Sequence, residues 1–266
     1  MKELDFATSL QYTKEDVRKA QYRLLEMGRV VTDILDRKGI DYCLSYGTLL
    51  GAVRHGGFIP WDDDFDICLF EESYDYAVKC LREELPIDYI VHDAVTDSIY
   101  WPAWAKVRDL RTKCFFSGTT DDDKYKFTGL NIDLYKYSLI HDEDVETWKK
   151  RAAIEFIVRK HDVGVLPDDR YNELFDLWTH DYCDLQTKKD LKIENQDNMV
   201  YVMCDTSPTA RFAYHDVKPL TRILFENQTF WGPADPHAVL NSFYGDYSII
   251  PKYENRKTHY NRVHFE

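Results

Sequence analysis

Four carboxylates in five positions, within Trp61-Asp62-Asp63-Asp64-Phe65-Asp66-Ile67, leave the surrounding chain few ways to fold. Phe65 and Ile67 ask for a core, whereas Asp64 and Asp66 ask for water, a proton or a cation. The two-residue period of a β-strand meets both demands, because it puts Asp64 and Asp66 on one face and Phe65 and Ile67 on the other. Carboxylates side by side repel, and a fold keeps such a pair where a cation neutralises it or a proton is shared. The alternation therefore points to a divalent metal, and an all-oxygen ligand set suits Mg²⁺ or Mn²⁺. An EF-hand loop does not fit: Leu69 stands where a loop starting at Asp64 needs glycine, and a start at Asp62 or Asp64 does not close on Glu.

The same parity places a third carboxylate. In Leu130-Asn131-Ile132-Asp133-Leu134 the apolar residues face the core, so Asp133 faces the other way. If that strand pairs beside the Asp64 strand, three carboxylates converge; Asp64 and Asp66 hold metal, and Asp133 either joins them or deprotonates an attacking hydroxyl. Upstream, Gly47-Thr48 is expected to open a short helix over 49–54 with Thr48 as its N-cap, and the free N–H groups of such an end suit a phosphate. Arg54 and His55, where that helix stops, either reach the phosphates or cap the helix dipole. Lys106 and Arg108 share a strand face and serve either a metal-bound diphosphate or a surface ion pair. Tyr46, Trp61 and Trp101 either pack in the core, stack on a base or enclose a quaternary ammonium.

Around these residues the pattern is that of an α+β protein. Val17, Ala20, Leu24, Met27, Val31, Ile34 and Leu35 recur at helical spacing, Thr13 with Asp16 marks the start and Gly39 the stop, which predicts a helix over 13–38. Strands are expected over 42–46 and 64–70, around 89–91, 105–107 and 113–116, and over 129–137; helices over 72–85, 148–160 and 170–186. The reading divides the chain into a catalytic core with an N-terminal helix, residues 1–140, and a mainly helical C-terminal lobe, residues 141–266, that wraps back over it. A length of 266 residues, 44% apolar, supports one such unit. Six scattered cysteines without a paired spacing read as reduced thiols. No apolar run is long enough to cross a bilayer and the first residues carry acids rather than a leader, so a cytoplasmic location is expected. The net charge of −13 argues against nonspecific binding to nucleic acid. Asp121, Asp122 and Asp123 lack hydrophobic alternation and read as a solvated loop without chemistry.

The run YGTLLGAVRHGGFIPWDDDFDICLF, from Tyr46 to Phe70, resembles the signature of the LicD family, which includes bacterial phosphocholine transferases and fukutin-related ribitol-phosphate transferases. That family falls in the polymerase-beta-like nucleotidyltransferase superfamily, whose Gly-Ser/Thr turn, Asp-hydrophobic-Asp strand and later hydrophobic-Asp-hydrophobic strand are matched by Gly47-Thr48, Asp64-Phe65-Asp66 and Ile132-Asp133-Leu134. Looser resemblance continues through 106–109 and 240–247. The sixteen positions from Thr48 to Asp64 exceed the superfamily's usual spacing, as a LicD-type insertion would make them, and the cysteine cluster of the animal relatives' zinc site is missing.

The resemblance implies a mixed sheet with flanking helices. It implies transfer of a phospho-alcohol, typically phosphocholine, from a CDP-linked donor such as CDP-choline to a sugar hydroxyl. The acceptor would be a cell-surface glycan such as lipopolysaccharide or teichoic acid, or its lipid-linked precursor, and CMP would leave. On this reading Asp64 and Asp66 hold Mg²⁺ on the donor's diphosphate, Gly47-Thr48 cradles a phosphate, and Asp133 is ligand or base. A lipid-linked acceptor leaves peripheral membrane contact open, although the chain has no long basic amphipathic helix. Two other readings stand beside it: a nucleotidyltransferase that uses an NTP and releases pyrophosphate, and a catalytically silent nucleotide- or glycan-binding module, against which the three carboxylates argue.

Overall fold

The computed structural model describes residues 12–116, 121–172, 198–203 and 210–266. Helix α1 (Lys14–Arg37) is opened by a reciprocal capping box between Thr13 and Asp16, as its sequence predicts, and buries Val17, Leu24, Val31 and Leu35. There follow β1 (Tyr42–Leu44), α2 (Tyr46–His55), β2 (Phe65–Phe70), α3 (Glu71–Glu84), β3 (Tyr89–His92), β4 (Ala105–Asp109), β5 (Thr112–Phe116), β6 (Asn131–His141) and α4 (Val145–Asp162). The C-terminal part adds β7 (Met199–Met203), β8 (Arg211–Ala213), β9 (Thr221–Phe225), β10 (Gln228–Gly232), α5 (Pro236–Tyr244) and β11 (Tyr260–Phe265).

One mixed sheet organises the molecule, in the order β1-β2-β6-β4-β3. Strands β2 and β6 run parallel; their neighbours are antiparallel. The long β6 pairs with β2 along one edge and with two strands along the other, its first part with β4 and its second with β7, which in turn carries β8. Phe65, Ile67, Ile132 and Leu134 are fully buried, and α1 and α3 pack against β2 and β6. Each such side chain contributes about 1.5–3 kcal/mol to the core. Gly28 lets α1 come close, since a Cβ there would sit 3.1 Å from the Phe65 ring.

Beyond residue 140 the helix expected over 148–160 is present as α4, whereas the one expected over 170–186 lies outside the described residues from 173 onward. The mainly helical expectation for this part needs amending, because five strands, β7 to β11, were not foreseen. Two of them extend the core sheet, and β11 pairs with β5. The boundary expected near 140 falls inside β6, which runs on to His141. Among the described residues no helix is long and apolar enough to cross a membrane.

The entry to β6 leaves no room for a side chain. A Cβ on Gly129 would collide with the carbonyl oxygens of Asp109 and Thr112. Gly129→Ala is expected to lower unfolding free energy by about 1–3 kcal/mol, measured by urea denaturation; a variant as stable as the parent would show that this backbone approach is not tight.

Candidate active site

Strand register brings the predicted carboxylates together. Asp66 on β2 lies opposite Asp133 on β6, and Asp133 lies opposite Lys106 on β4. Asp66 and Asp133 are 4% and 5% exposed. Asp133 is held by three donors: Trp104 Nε1 at 2.6 Å and Lys106 Nζ at 2.7 Å on Oδ1, and Asn131 Nδ2 at 2.6 Å on Oδ2. Asp64 sits one residue ahead of β2, and its buried Oδ1 accepts no hydrogen bond from the described residues. Burial raises the pKa of Asp66, Asp62 and Asp64, and mutual repulsion raises them further: Asp64 acts on Asp66 and Asp62, Asp63 and Asp133 on Asp64. The site is short of positive charge, and a divalent cation would supply it.

Asp62, Asp64 and Asp66 line a cleft of about 750 Å³ between α2, the start of β2 and the segment from Tyr244 to His259, with Asp133 beside Asp66 on the next strand and outside that lining. Gly47 belongs there for a steric reason, since a Cβ would stand 2.5 Å from Asp62 Oδ2. The first helical residue, Tyr46, has a left-handed backbone with φ 42°, a cost that clusters at functional sites. Thr48 is not the N-cap. Helix α2 begins at Tyr46 behind Ser45, and Thr48 Oγ1, inside the first turn, accepts the Asp66 N–H at 2.8 Å. Its hydroxyl therefore ties α2 to the acidic strand.

The remaining predicted residues divide. Arg54 lines the cleft and donates to the Tyr247 carbonyl at 2.7 Å. His55 turns edge-on to Trp61, outside the cleft lining, and burial with Arg54 beside it lowers its pKa. Lys106 reaches the site through its ion pair with Asp133. Arg108 does not reach it. Its fully buried guanidinium donates to the Gly129 carbonyl, Asn131 Oδ1 and Asp122 Oδ1, which makes it a structural tie between β4, β6 and the loop above. That contact also corrects the solvated reading of Asp122. Tyr46 and Trp61 line the cleft, whereas Trp101 packs against Phe156 on α4.

Three neighbours of the site escaped the sequence reading. Asp62 faces the cleft. Asp63, fully buried, points the other way and accepts the backbone N–H groups of His259 (2.7 Å) and Tyr260 (3.2 Å), so it anchors β11 to the acidic strand. His259 lies with Nδ1 3.1 Å from Asp63 Oδ1 and Nε2 3.5 Å from Asp64 Oδ2. The run of aspartates carried a signal for the first two. Nothing in the C-terminal segment marked His259, almost two hundred residues away.

The Asp64 charge, with Asp63 and Asp62 behind it, pushes the His259 pKa up to about 11 against the cost of burial. A raised folded-state value gives stability that is fully present below the unfolded value and lost as pH rises toward the folded one. The metal-free protein is therefore expected to lose stability progressively as pH rises from about 6.5, the ordinary histidine value, toward about 11, in urea titrations with chelator. His259→Gln should flatten that slope; an equal slope in the variant would remove His259 from the charge balance.

Residues 39–164 match the family model described as LicD/FKTN/FKRP, nucleotidyltransferase domain. The chain is 27% identical over 250 residues, 85% of its length and 89% of the relative's, to the lipopolysaccharide cholinephosphotransferase LicD of Haemophilus influenzae. Over 50 residues, 19% of this chain and 10% of that protein, it is 47% identical to the human ribitol 5-phosphate transferase FKRP.

Proposed function

From the LicD-family domain that this chain carries, which makes it a LicD-type transferase, we propose a metal-dependent transfer of a phospho-alcohol. Phosphocholine is the first choice, CDP-choline the donor, and a sugar hydroxyl of a cell-surface glycan or its precursor the acceptor. The single observation that carries this reading is the register of buried Asp66 against buried Asp133, beside a partly buried Asp64 whose Oδ1 accepts no hydrogen bond from the described residues. The similarity to a lipopolysaccharide cholinephosphotransferase over most of both chains supports the choice of alcohol and acceptor.

The donor set fits a hard divalent cation, and Asp64, Asp66 and Asp133 are the residues that would hold Mg²⁺ or Mn²⁺. When bound, such an ion neutralises the diphosphate and the charge that grows on the leaving oxygen. The chain's own residues do the rest. The acceptor oxygen attacks the phosphorus that bears the alcohol, the bond to CMP breaks, and the hydroxyl proton passes to a cleft carboxylate. Trp104 and Lys106 fill Asp133 Oδ1 and Asn131 takes one side of Oδ2, so Asp133 would serve as ligand or base through the remaining side of Oδ2. The N-terminus of α2 at Gly47, with Arg54 in the last turn of the same helix, offers donors to phosphate oxygens. Tyr46 and Trp61 offer aromatic faces to the base or the quaternary ammonium.

Purified protein given CDP-choline, Mg²⁺ and a glycan acceptor should release CMP. Asp66→Asn should cut turnover by about two orders of magnitude or more while the circular dichroism stays that of the parent. Pyrophosphate released from an NTP would favour nucleotidyl transfer instead, and a fully active Asp66→Asn would misplace the site.

A further inference from the structure

One wall of the cleft continues into an exposed apolar rim. Ile249, Ile250 and Tyr253 are 67%, 52% and 75% exposed, and Ile249 and Pro251 also line the cleft. Single exposed apolar residues are ordinary, but three within five positions beside a functional cleft are not. The rim is braced from behind. Arg256 Nε donates to the Pro251 carbonyl at 3.0 Å and its guanidinium lies over the Trp61 ring at 4.5 Å, while Arg54 holds the Tyr247 carbonyl. The outward side chains are thus presented on a fixed backbone.

Charge reverses at the same place. From Ile250 to Arg262 the chain carries Lys252, Arg256, Lys257 and Arg262 against Glu254 alone, in a protein whose net charge is −13. Lys252 and Lys257 are exposed. An apolar tip with a cationic fringe matches the chemistry of an anionic bilayer, where isoleucine and tyrosine enter the headgroup region and lysine meets lipid phosphate. It does not match an acidic protein surface, which would take the lysines but not the isoleucines.

We propose that residues 249–257 form a docking rim that seats the mouth of the cleft on an anionic lipid surface. Ile250 and Tyr253 enter the interface, and Lys252 and Lys257 contact the headgroups. An acceptor carried on a lipid would then reach the carboxylates along the wall made by Ile249 and Pro251. The rim goes beyond the functional reading above, since it stands on its own geometry whether or not the cleft transfers a phospho-group.

Co-sedimentation of the full chain with phosphatidylcholine vesicles, with and without about 30% phosphatidylglycerol, tests this directly. Binding should be at least about tenfold stronger with the anionic lipid, and should weaken when salt is raised from about 50 to about 500 mM. Ile250→Ser with Tyr253→Ser should lower binding at least about tenfold, and Lys252→Glu with Lys257→Glu should abolish the preference for anionic vesicles. Equal binding to both vesicle types, or parental binding by both variants, would overturn the proposal. So would a dimer in sedimentation velocity that Ile250→Ser with Tyr253→Ser dissolves while vesicles bind nothing, since the rim would then cover a second copy of the chain.

Discussion

Repulsion among buried carboxylates is the constraint on which the rest of the molecule depends. Asp66 and Asp133 sit in register on adjacent parallel strands, with Asp64 and Asp62 beside them. Two unit charges about 5 Å apart repel by about 3 kcal/mol at an effective dielectric near 20. A chain that places several such charges together must hold them by other means. The opposite face does so through Phe65, Ile67, Ile132 and Leu134, all fully buried. The polar face does so through aimed donors: Thr48 Oγ1 accepts the Asp66 N–H, and Lys106, Trp104 and Asn131 pin Asp133. What these contacts leave unbalanced is the charge of Asp62, Asp64 and Asp66, and on the proposed reading a divalent cation would neutralise it.

The four aspartates of one short run do two kinds of work, and strand parity decides which. Asp64 and Asp66 turn to the cleft. Asp63, of opposite parity, turns to the C-terminal segment and fastens His259 and Tyr260 by their backbone N–H groups. The segment that closes one side of the cleft is therefore fixed to the acidic strand, so the wall with Tyr244, Tyr247 and Ile249 stays in place around the carboxylates. Arg108 acts at a distance in the same way. Its buried ties to Asn131 and Asp122 hold β4 and β6 together next to Asp133.

Much of this was legible in the residues themselves. Alternation over Asp64-Phe65-Asp66-Ile67 and Ile132-Asp133-Leu134 predicted both faces of β2 and β6, and helical spacing with its capping box predicted α1 nearly to its ends. The errors came where long-range contact overrides local pattern. Thr48 reads as a cap, yet β2 claims its hydroxyl and Ser45 takes the N-cap position. Arg108 has the same parity as Lys106, but the loop at Asp122 and the ring of His92 enclose it. Strand β7 is buried along its whole length and shows no alternation, so periodicity had nothing to mark. His259 joins the site through pairing of β11 with β5, which no local signal encodes.

On the proposed function, the carboxylates set by this register form one divalent-cation site. Titration of Mn²⁺ into chelator-treated protein, followed by electron paramagnetic resonance of the free ion, measures it without substrate. Saturable binding is expected that Mg²⁺ displaces and that Asp64→Asn with Asp66→Asn removes, while Asp33→Asn, exposed on α1, keeps it. Binding that survives the paired substitution, or no saturable binding in the parent, would contradict it.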